Sequence, residues 1–351
     1  MKPLIIRADA SKEIGTGHVM RCLALAQAWH EEGGMVFFLL CCELPALEDR
    51  LKKVGIQVHH IRNNAGSIED ADETVRIARE HGADWTVVDG YHFGAEYQKK
   101  IKDSGLSLLF IDDYGHSDHY YADLVLNQNI YANMSFYKNH ELCTRFLLGT
   151  KYALLRKEFL AWSRWHREIP EKAQKILVTL GGSDPDNITL KVIDIMKNVD
   201  IPRVEVIVVV GGTNPHFDLI RNMVHDLPAF TLIKNAENMP ELMAWADIAI
   251  SGGGSTCLEL MYMGLPSCVI LMAKNQIQNV NSLHQKKIII HLGDSLSLNQ
   301  GQVANTICNL IQNRNRRQKM SEKSKSLVTG NGSIEIIRHL VKQDNQRSNY
   351  E

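Results

Sequence analysis

Short apolar runs alternate with amphipathic stretches along the first half of the chain. The runs predict strands, and the stretches between them carry apolar positions at helical spacing. The predicted strands cover 3–7, 35–42, 57–61, 85–89, 106–112 and 124–126, and the predicted helices cover 19–32, 43–54, 68–81 and 95–103. Nearly continuous apolar strands between helices are typical of a parallel sheet that is covered on both faces. Residues 131–147 follow as a long irregular or partly helical excursion.

The same alternation restarts in the second half, with predicted strands at 175–180, 203–210, 230–233, 248–250, 267–271 and 288–291. This pattern predicts an α/β protein of the GT-B type, in which two Rossmann-like domains have parallel sheets facing across a cleft. The predicted parts are an N-terminal domain (1–155), a connection (156–174), a C-terminal nucleotide-binding domain (175–332), and a terminal helix and tail (333–351). That helix is a candidate to pack on the first domain.

The composition of the chain indicates which kinds of partner and which cellular compartment to expect. The formal net charge of −1 argues against nucleic acid as the main partner, and the basic run at 314–319 is typical of a solvated helix face. No apolar run approaches the ~18 residues of a membrane span, so no stable membrane association is expected. The seven cysteines form no C-x-x-C pair, and no signal region precedes the first strand, which favours reduced thiols in the cytoplasm. The oligomeric state stays open.

A glycine turn ending on a histidine, Gly15-Thr-Gly-His18, follows the first predicted strand. Open α/β sheets bind ligands at such strand-to-helix loops, where glycines let the backbone approach a ligand and an imidazole can take a proton. The alternative is a tight turn with a helix-capping residue. Met20 occupies the place of the third glycine of a dinucleotide fingerprint, and the Walker, G-x-S-x-G and H-E-x-x-H motifs are absent from the sequence.

A second glycine loop, Ser251-Gly-Gly-Gly-Ser-Thr256, joins a predicted strand to a helix in the second half. Its amides and hydroxyls suit a diphosphate without any cation. Glu259 lies one helical turn further on, where it either accepts from sugar hydroxyls or simply favours the helix dipole. Further polar loops follow other strands of this half, at 181–187, 211–213 and 275–276, and together they predict a composite ligand site with amide donors at Asn275 and Gln276.

Several motifs together resemble one family of sugar-nucleotide enzymes. They are Arg7-Ala-Asp9 with Gly15-Thr-Gly-His-Val-Met-Arg-Cys22, Leu126-Asn-Gln-Asn129, Tyr152-Ala-Leu-Leu-Arg156, Leu180-Gly-Gly-Ser-Asp-Pro185, and Ser251-Gly-Gly-Gly-Ser255 through Glu259. The chain is similar to the UDP-2,4-diacetamido-2,4,6-trideoxy-sugar hydrolases of pseudaminic acid biosynthesis and to spore-coat polysaccharide proteins of the SpsG type. That family has the GT-B architecture. The loop after the paired aspartates, residues 112–119, departs from the family pattern.

The resemblance implies a cytoplasmic enzyme that hydrolyses a UDP-linked diacetamido-trideoxyhexose at the anomeric carbon with inversion. Its substrate is a small molecule, and neither a cofactor nor a metal is expected. His18 matches the histidine that activates water, with the nucleotide on the second domain and the sugar toward the first. The implied substrate-binding residues are Gly15, Gly17, Tyr91, Arg156, Gly253, Gly254, Ser255, Thr256, Glu259 and Asn275.

Three other functions stay open from the sequence. A GT-B glycosyltransferase would pass the sugar to an acceptor other than water, and a non-catalytic nucleotide-sugar binding protein would keep His18 in a structural role. A metal-dependent hydrolase would use the acidic and histidine-rich segment that contains Asp112, Asp113, His116, Asp118 and His119. Such segments are more commonly solvated surface.

Overall fold

Two parallel β-sheets with flanking helices organise the chain. The structure, a computed structural model, describes residues 1–11, 15–197 and 204–347, with side chains described as far as residue 342. The strands of the first sheet are β1 (Leu4–Ala8), β2 (Val36–Leu40), β3 (Gln57–His60), β4 (Trp85–Asp89), β5 (Ser107–Ile111), β6 (Leu124–Asn127) and β7 (Arg145–Leu148). Those of the second are β8 (Lys175–Thr179), β9 (Glu205–Val210), β10 (Phe230–Lys234), β11 (Ile248–Gly252), β12 (Ser267–Leu271) and β13 (Ile289–Asp294).

The helices lie between the strands and after the last one. Those of the first half are α1 (Gly17–Glu31), α2 (Pro45–Lys53), α3 (Ile68–Glu80), α4 (Ala95–Asp103) and α5 (Lys157–Leu160). Those of the second half are α6 (Ile188–Lys197), α7 (Phe217–His225), α8 (Met239–Trp245), α9 (Thr256–Tyr262), α10 (Ile277–Gln285), α11 (Gln300–Gln312), α12 (Arg314–Leu327) and α13 (Gly332–Arg347). Within the described part of the chain, no helix combines the length and apolar character that crossing a bilayer requires.

The central strands are buried along their whole length because both faces of the sheet are covered, and most of their residues are apolar. In β1, Leu4 and Ile6 join one hydrophobic cluster and Ile5 joins another, as the alternation of side chains along a strand dictates. The edge strand β3 is different, since its terminal residues Gln57 and His60 are exposed. The predicted α/β class with parallel sheets is confirmed.

Strand order places particular loops side by side. The first sheet runs β3-β2-β1-β4-β5-β6-β7, and the second runs β10-β9-β8-β11-β12-β13. In each sheet the order reverses direction at one point, between β1 and β4 or between β8 and β11. Loops at the carboxyl ends of the two strands diverge there and leave room for a ligand. The glycine-histidine loop follows β1, and the glycine-rich loop of the second half follows β11.

The chain divides into two compact units. The first contains Met1–Ser11, His18–Lys157 and residues 330–347, and the second contains residues 15–17 and Glu158–Thr329. Helix α13 therefore returns to the first unit, where Ile336, Ile337 and Leu340 join the same cluster as β1. Gly332 permits this return, because a Cβ at that position would lie 2.1 Å from the carbonyl oxygen of Ala153.

The prediction of an irregular excursion at 131–147 was wrong for its last residues. The excursion at 131–147 contains a 3₁₀ turn at Met134–Phe136, but its last residues belong to β7, the edge strand beside β6. A four-residue strand gives too short an apolar run to be told from a loop by periodicity. The first residue of the strand predicted at 203–210 lies outside the described residues, as does the end of the predicted tail, residues 348–351.

Candidate active site

His18 lies in the first turn of α1 and contacts the end of a neighbouring strand. Its side chain is buried, and its Nδ1 is 2.7 Å from Oδ1 of Asp89, the last residue of β4. The parallel register pairs Ala8 of β1 with Asp89, so the loop after β1 begins beside this carboxylate. The strand reversal thus brings together two residues that are 71 positions apart in the sequence.

Arg21 holds the Asp89 carboxylate from the same helix that carries His18. Its Nε and Nη2 donate to the two Asp89 oxygens, each at 2.6 Å. Burial alone would raise the pKa of Asp89, but the Arg21 charge and the contact with His18 outweigh it and hold the pKa well below its ordinary value. Asp89 is therefore ionised throughout the neutral range and can only accept hydrogen bonds.

This charge state fixes the tautomer of His18. An ionised Asp89 cannot donate, so the proton of a neutral His18 ring lies on Nδ1 and points at Oδ1. Nη2 of Arg21 is 3.3 Å from the same nitrogen, but a guanidinium offers no acceptor for that proton. The lone pair is left on Nε2. Such an imidazole can take a proton there while Asp89 stabilises the resulting charge.

Tyr91 packs on His18 and links it to Asp113. The Tyr91 ring packs edge-on against the imidazole, with centroids 4.8 Å apart and an interplanar angle of 82°. Its hydroxyl donates to Oδ2 of Asp113 at 2.7 Å. Nη1 of Arg21 donates to both oxygens of the same carboxylate, at 2.8 and 2.9 Å. Of the residues predicted from sequence, the first unit thus brings His18 and Tyr91 together.

Sequence reasoning missed the roles of Asp89, Arg21 and Asp113. Two signals were available. Asp89 ends a buried strand and precedes a glycine, a place where a charged residue needs a partner. Arg21 is three positions after His18, so both side chains lie on one face of α1. Neither signal names the partner, because that depends on which strands are neighbours.

In the acidic segment that could have held a metal, the Asp112 carboxylate binds groups of the protein. Asp112 accepts the backbone N–H groups of Tyr114, Gly115 and His116 and the hydroxyl of Tyr120. Its pKa is lowered because the His116 and Tyr120 hydrogen bonds outweigh the effect of burial. Among the residues that the structure describes, no group of three or more His, Cys, Asp or Glu is arranged to hold a metal ion. The Asp112 carboxylate instead organises its own loop.

In the second unit, the loop after β11 is held by Gln276 and Asn279. Oε1 of Gln276 accepts from the N–H of Gly253 at 3.2 Å and from that of Met272 at 3.1 Å. Nδ2 of Asn279 donates to the Gly253 carbonyl at 3.2 Å. A Cβ on Gly253 would lie 2.4 Å from Cγ2 of Val280, so only glycine fits here. The Gln276 oxygen thus holds the loop, and the predicted role of its amide nitrogen as a donor to ligand stays a prediction.

Neighbouring loops of the second unit lie against one another. The Thr213 hydroxyl donates to the Gly182 carbonyl at 2.7 Å. Residues 15–17 join these loops: a Cβ on Gly182 would lie 2.7 Å from the Thr16 hydroxyl, and one on Gly17 would lie 3.8 Å from that of Ser255. Residues 15–17 of the second unit therefore lie beside the loops that follow β8 and β11.

The remaining predicted residues have separate places. Ser255 and Thr256 begin α9, and Glu259 lies half-buried on the same helix. Asn275 is exposed in the 3₁₀ turn Lys274–Gln276. Arg156 is buried in the first unit, just before α5. Asp184, in the loop after β8, accepts from the N–H groups of Ile188 and Thr189 and so caps α6.

Relatives confirm the resemblance seen in the motifs. Residues 176–336 match the model of the glycosyltransferase family 28 C-terminal domain. SpsG, a spore coat polysaccharide biosynthesis protein of Bacillus subtilis, is 24% identical over 94% of this chain and 95% of its own length. The UDP-2,4-diacetamido-2,4,6-trideoxy-beta-L-altropyranose hydrolase of Campylobacter jejuni is 24% identical over 81% of this chain and 96% of its own. An uncharacterized protein of Methanocaldococcus jannaschii is 28% identical over 79% of this chain, which spans 57% of that relative.

Solved structures share the architecture. MurG of Acinetobacter baumannii matches with a TM-score of 0.63 at 16% identity, over 97% of this chain and 100% of that one. UGT2 of Phytolacca americana, in complex with UDP-2fluoro-glucose and pterostilbene, matches with a TM-score of 0.66 at 12% identity, over 97% and 99%. The fold is GT-B, as the sequence predicted.

Proposed function

We propose that this protein hydrolyses a UDP-linked 2,4-diacetamido-2,4,6-trideoxyhexose, releasing UDP and the free sugar for nonulosonic (pseudaminic) acid or surface polysaccharide biosynthesis. The observation that carries the proposal is the His18–Asp89 pair, with Nδ1 and Oδ1 2.7 Å apart. It supplies a base for water, and relatives that match over most of their length include an enzyme named as such a hydrolase. The seven unpaired cysteines fit a reducing compartment, and we place the enzyme in the cytoplasm.

The proposed reaction is a single displacement at the anomeric carbon. Nε2 of His18 takes a proton from water as the water oxygen bonds to that carbon. The bond from carbon to the diphosphate oxygen breaks, and UDP leaves with the electron pair. A single displacement inverts the configuration at the anomeric carbon. Asp89 keeps the His18 ring oriented and stabilises the imidazolium. A well-placed base such as His18 contributes a factor of roughly 10²–10⁴ to the rate.

The departure of UDP needs no protonating acid, because a diphosphate is already a good leaving group, unlike the alcohol released by an ordinary glycosidase. We assign the diphosphate to the glycine-rich loop of the second unit, with Gly254, Ser255 and Thr256 donating backbone or hydroxyl hydrogens. Gly253 shapes this loop, since its own N–H donates to Gln276. The other proposed substrate contacts are Gly15, Gly17, Arg156 and Asn275. Tyr91 is proposed to contact the sugar.

A turnover screen of UDP-sugars tests the function. Purified protein is incubated with each UDP-sugar and no acceptor, UDP release is followed continuously, and the sugar product is identified by NMR within the first minutes, before anomers equilibrate. We expect steady release of UDP with an inverted free sugar from the diacetamido-trideoxy substrate. Release only after an acceptor is added would make the protein a glycosyltransferase, and binding without turnover would make it a binding protein.

Activity is expected to survive removal of divalent metals. The proposed base and diphosphate site consist of side chains and backbone groups, and Asp112 is occupied by its own loop. The measurement is UDP release after dialysis against a strong chelator, with metal-free buffer as the reference. A loss of activity that Mg²⁺, Mn²⁺ or Zn²⁺ restores would contradict a metal-independent mechanism.

Replacement of Glu259 by alanine is expected to weaken UDP binding by about 1–3 kcal/mol, if this half-buried carboxylate accepts from the ribose hydroxyls. His18→Asn is the matched control, because His18 is assigned to the water and sugar, and its UDP affinity should stay close to that of the parent. Calorimetry with UDP on both variants measures the pair. The opposite pattern, with affinity lost in the His18 variant and kept in the Glu259 variant, would move the nucleotide to the first unit.

A further inference from the structure

The buried carboxylate of Asp113 collects hydrogen bonds from three separate elements of the first unit. Arg21 of α1 donates through Nη1 at 2.8 and 2.9 Å, and the Tyr91 hydroxyl, after β4, donates at 2.7 Å. Nδ2 of Asn129, after β6, donates to the other oxygen at 2.7 Å. Asp113 thereby ties α1 to the loops that follow β4 and β6.

Two of those three donors also contact the His18–Asp89 pair. Arg21 reaches both oxygens of Asp89 at 2.6 Å. The Tyr91 ring packs on the imidazole of His18 with a centroid distance of 4.8 Å. Asp113 itself has no hydrogen bond or ring contact with His18 among the described interactions. Its hydrogen bonds instead reach two residues that contact the pair, Arg21 and Tyr91.

Each of these contacts restrains a different freedom of the imidazole. The hydrogen bond to Asp89 fixes the position of Nδ1 but lets the ring tilt about that bond. The edge-on Tyr91 ring blocks the tilt, and the bidentate Arg21 keeps Asp89 from turning. Because the guanidinium is rigid and planar, anchoring one side on Asp113 sets the orientation of the side that faces Asp89.

We propose that Asp113 is a positioning residue for the hydrolysis: it aligns Arg21 and Tyr91 so that Nε2 of His18 faces the attacking water. The inference rests on the proposed function. It assigns the second of the paired aspartates to orienting the base and leaves the first, Asp112, with the folding of its own loop. A misplaced base loses rate without a matching loss of nucleotide affinity.

The test is a double-variant cycle of Asp113→Asn and Tyr91→Phe in the full chain. Each single variant should lower kcat by about 10- to 100-fold, with the affinity for UDP within about threefold of the parent, and Asp113→Asn should also keep KM for the UDP-sugar within about threefold. If Asp113 acts through Tyr91 and Arg21, the double variant should lose much less than the product of the two single losses. Asp112→Asn is the matched control, and its kcat per folded molecule should stay within about threefold of the parent.

Two results would overturn the proposal: a folded Asp113→Asn enzyme with parental kcat, or losses that multiply in the double variant. If Asp113→Asn does not fold, Asn129→Ala replaces it in the cycle, because it removes one donor and leaves the carboxylate in place. Its loss of kcat should be smaller and should also couple to Tyr91→Phe. A parental kcat in Asn129→Ala, or losses of kcat that multiply when it is combined with Tyr91→Phe, would likewise reject the positioning role of Asp113.

A spectroscopic measurement separates this proposal from the proposed function. In protein labelled with ¹⁵N-histidine, the Nδ1–H signal of His18 is assigned by its disappearance in His18→Asn. Asp113→Asn should shift or broaden that signal, whereas Asp112→Asn should leave it in place. This result does not require turnover. An unchanged signal rejects the role of Asp113, while a changed signal in a protein that releases no UDP rejects only the hydrolase.

Discussion

Replacing His18 by asparagine is expected to lower the turnover of the UDP-sugar by about 100-fold or more. Asparagine keeps a polar side chain of similar reach but has no nitrogen that can take a proton near neutral pH. The measurement is the rate of UDP release at saturating substrate. UDP affinity, measured in parallel, should be retained, because only the base has been removed.

The control for this variant is a histidine remote from the proposed chemistry. His60 is exposed at the end of the edge strand β3, where it pairs with Glu48 at 3.4 Å. His60→Asn should leave turnover unchanged. A His18→Asn enzyme with near-normal turnover would end the assignment of His18 as the base and leave it a structural role in the loop.

Replacing Asp89 by asparagine is expected to cost about 100-fold or more in kcat. The amide can present N–H to Nδ1 of His18, which favours the tautomer with the proton on Nε2, and the imidazolium loses its ionised partner. The substitution also removes one of the two carboxylates that neutralise Arg21. The variant is therefore compared with the parent in both kcat and thermal unfolding, and the pH profile of kcat is recorded.

Asp70→Asn is a matched control, since Asp70 is also a buried carboxylate that binds a buried arginine. It accepts from Nε and Nη2 of Arg7, at 3.0 and 2.9 Å. Both variants should lose stability because an arginine keeps only one of its two carboxylate partners, but only Asp89→Asn should lose kcat per folded molecule. Equal losses of kcat in the two variants would mean that Asp89 serves the fold rather than the imidazole.

The parts of the fold that sequence predicts well are those with local signals. Buried parallel strands are mostly apolar, so β4 and β12 were predicted with their exact bounds at 85–89 and 267–271. The glycine loops and His18 were singled out as candidates because glycine and polar residues after a strand mark a ligand-binding edge. The strand β7 was missed, because four residues of which only Leu147 is buried carry no periodic signal.

The partners in the candidate site could not be predicted in the same way. Arg21 and Asp113 are 92 positions apart, and their contact exists because β4 and β5 follow β1 in the sheet. A single sequence contains each side chain but not the strand order that pairs them. In the sequence, Arg21 was only one residue of a motif shared with a family. In the structure, its hydrogen bonds to Asp89 and Asp113 give it a physical role.

The return of helix α13 has a consequence for biosynthesis. Ile336, Ile337 and Leu340 fill the core beneath β1, so this core is completed only after α13 has been translated. Residues 158–329 are available to the second unit before α13 is translated. The N-terminal half of the chain would leave the ribosome with an open apolar surface, and chaperone protection during that interval should matter more for it than for the half made later.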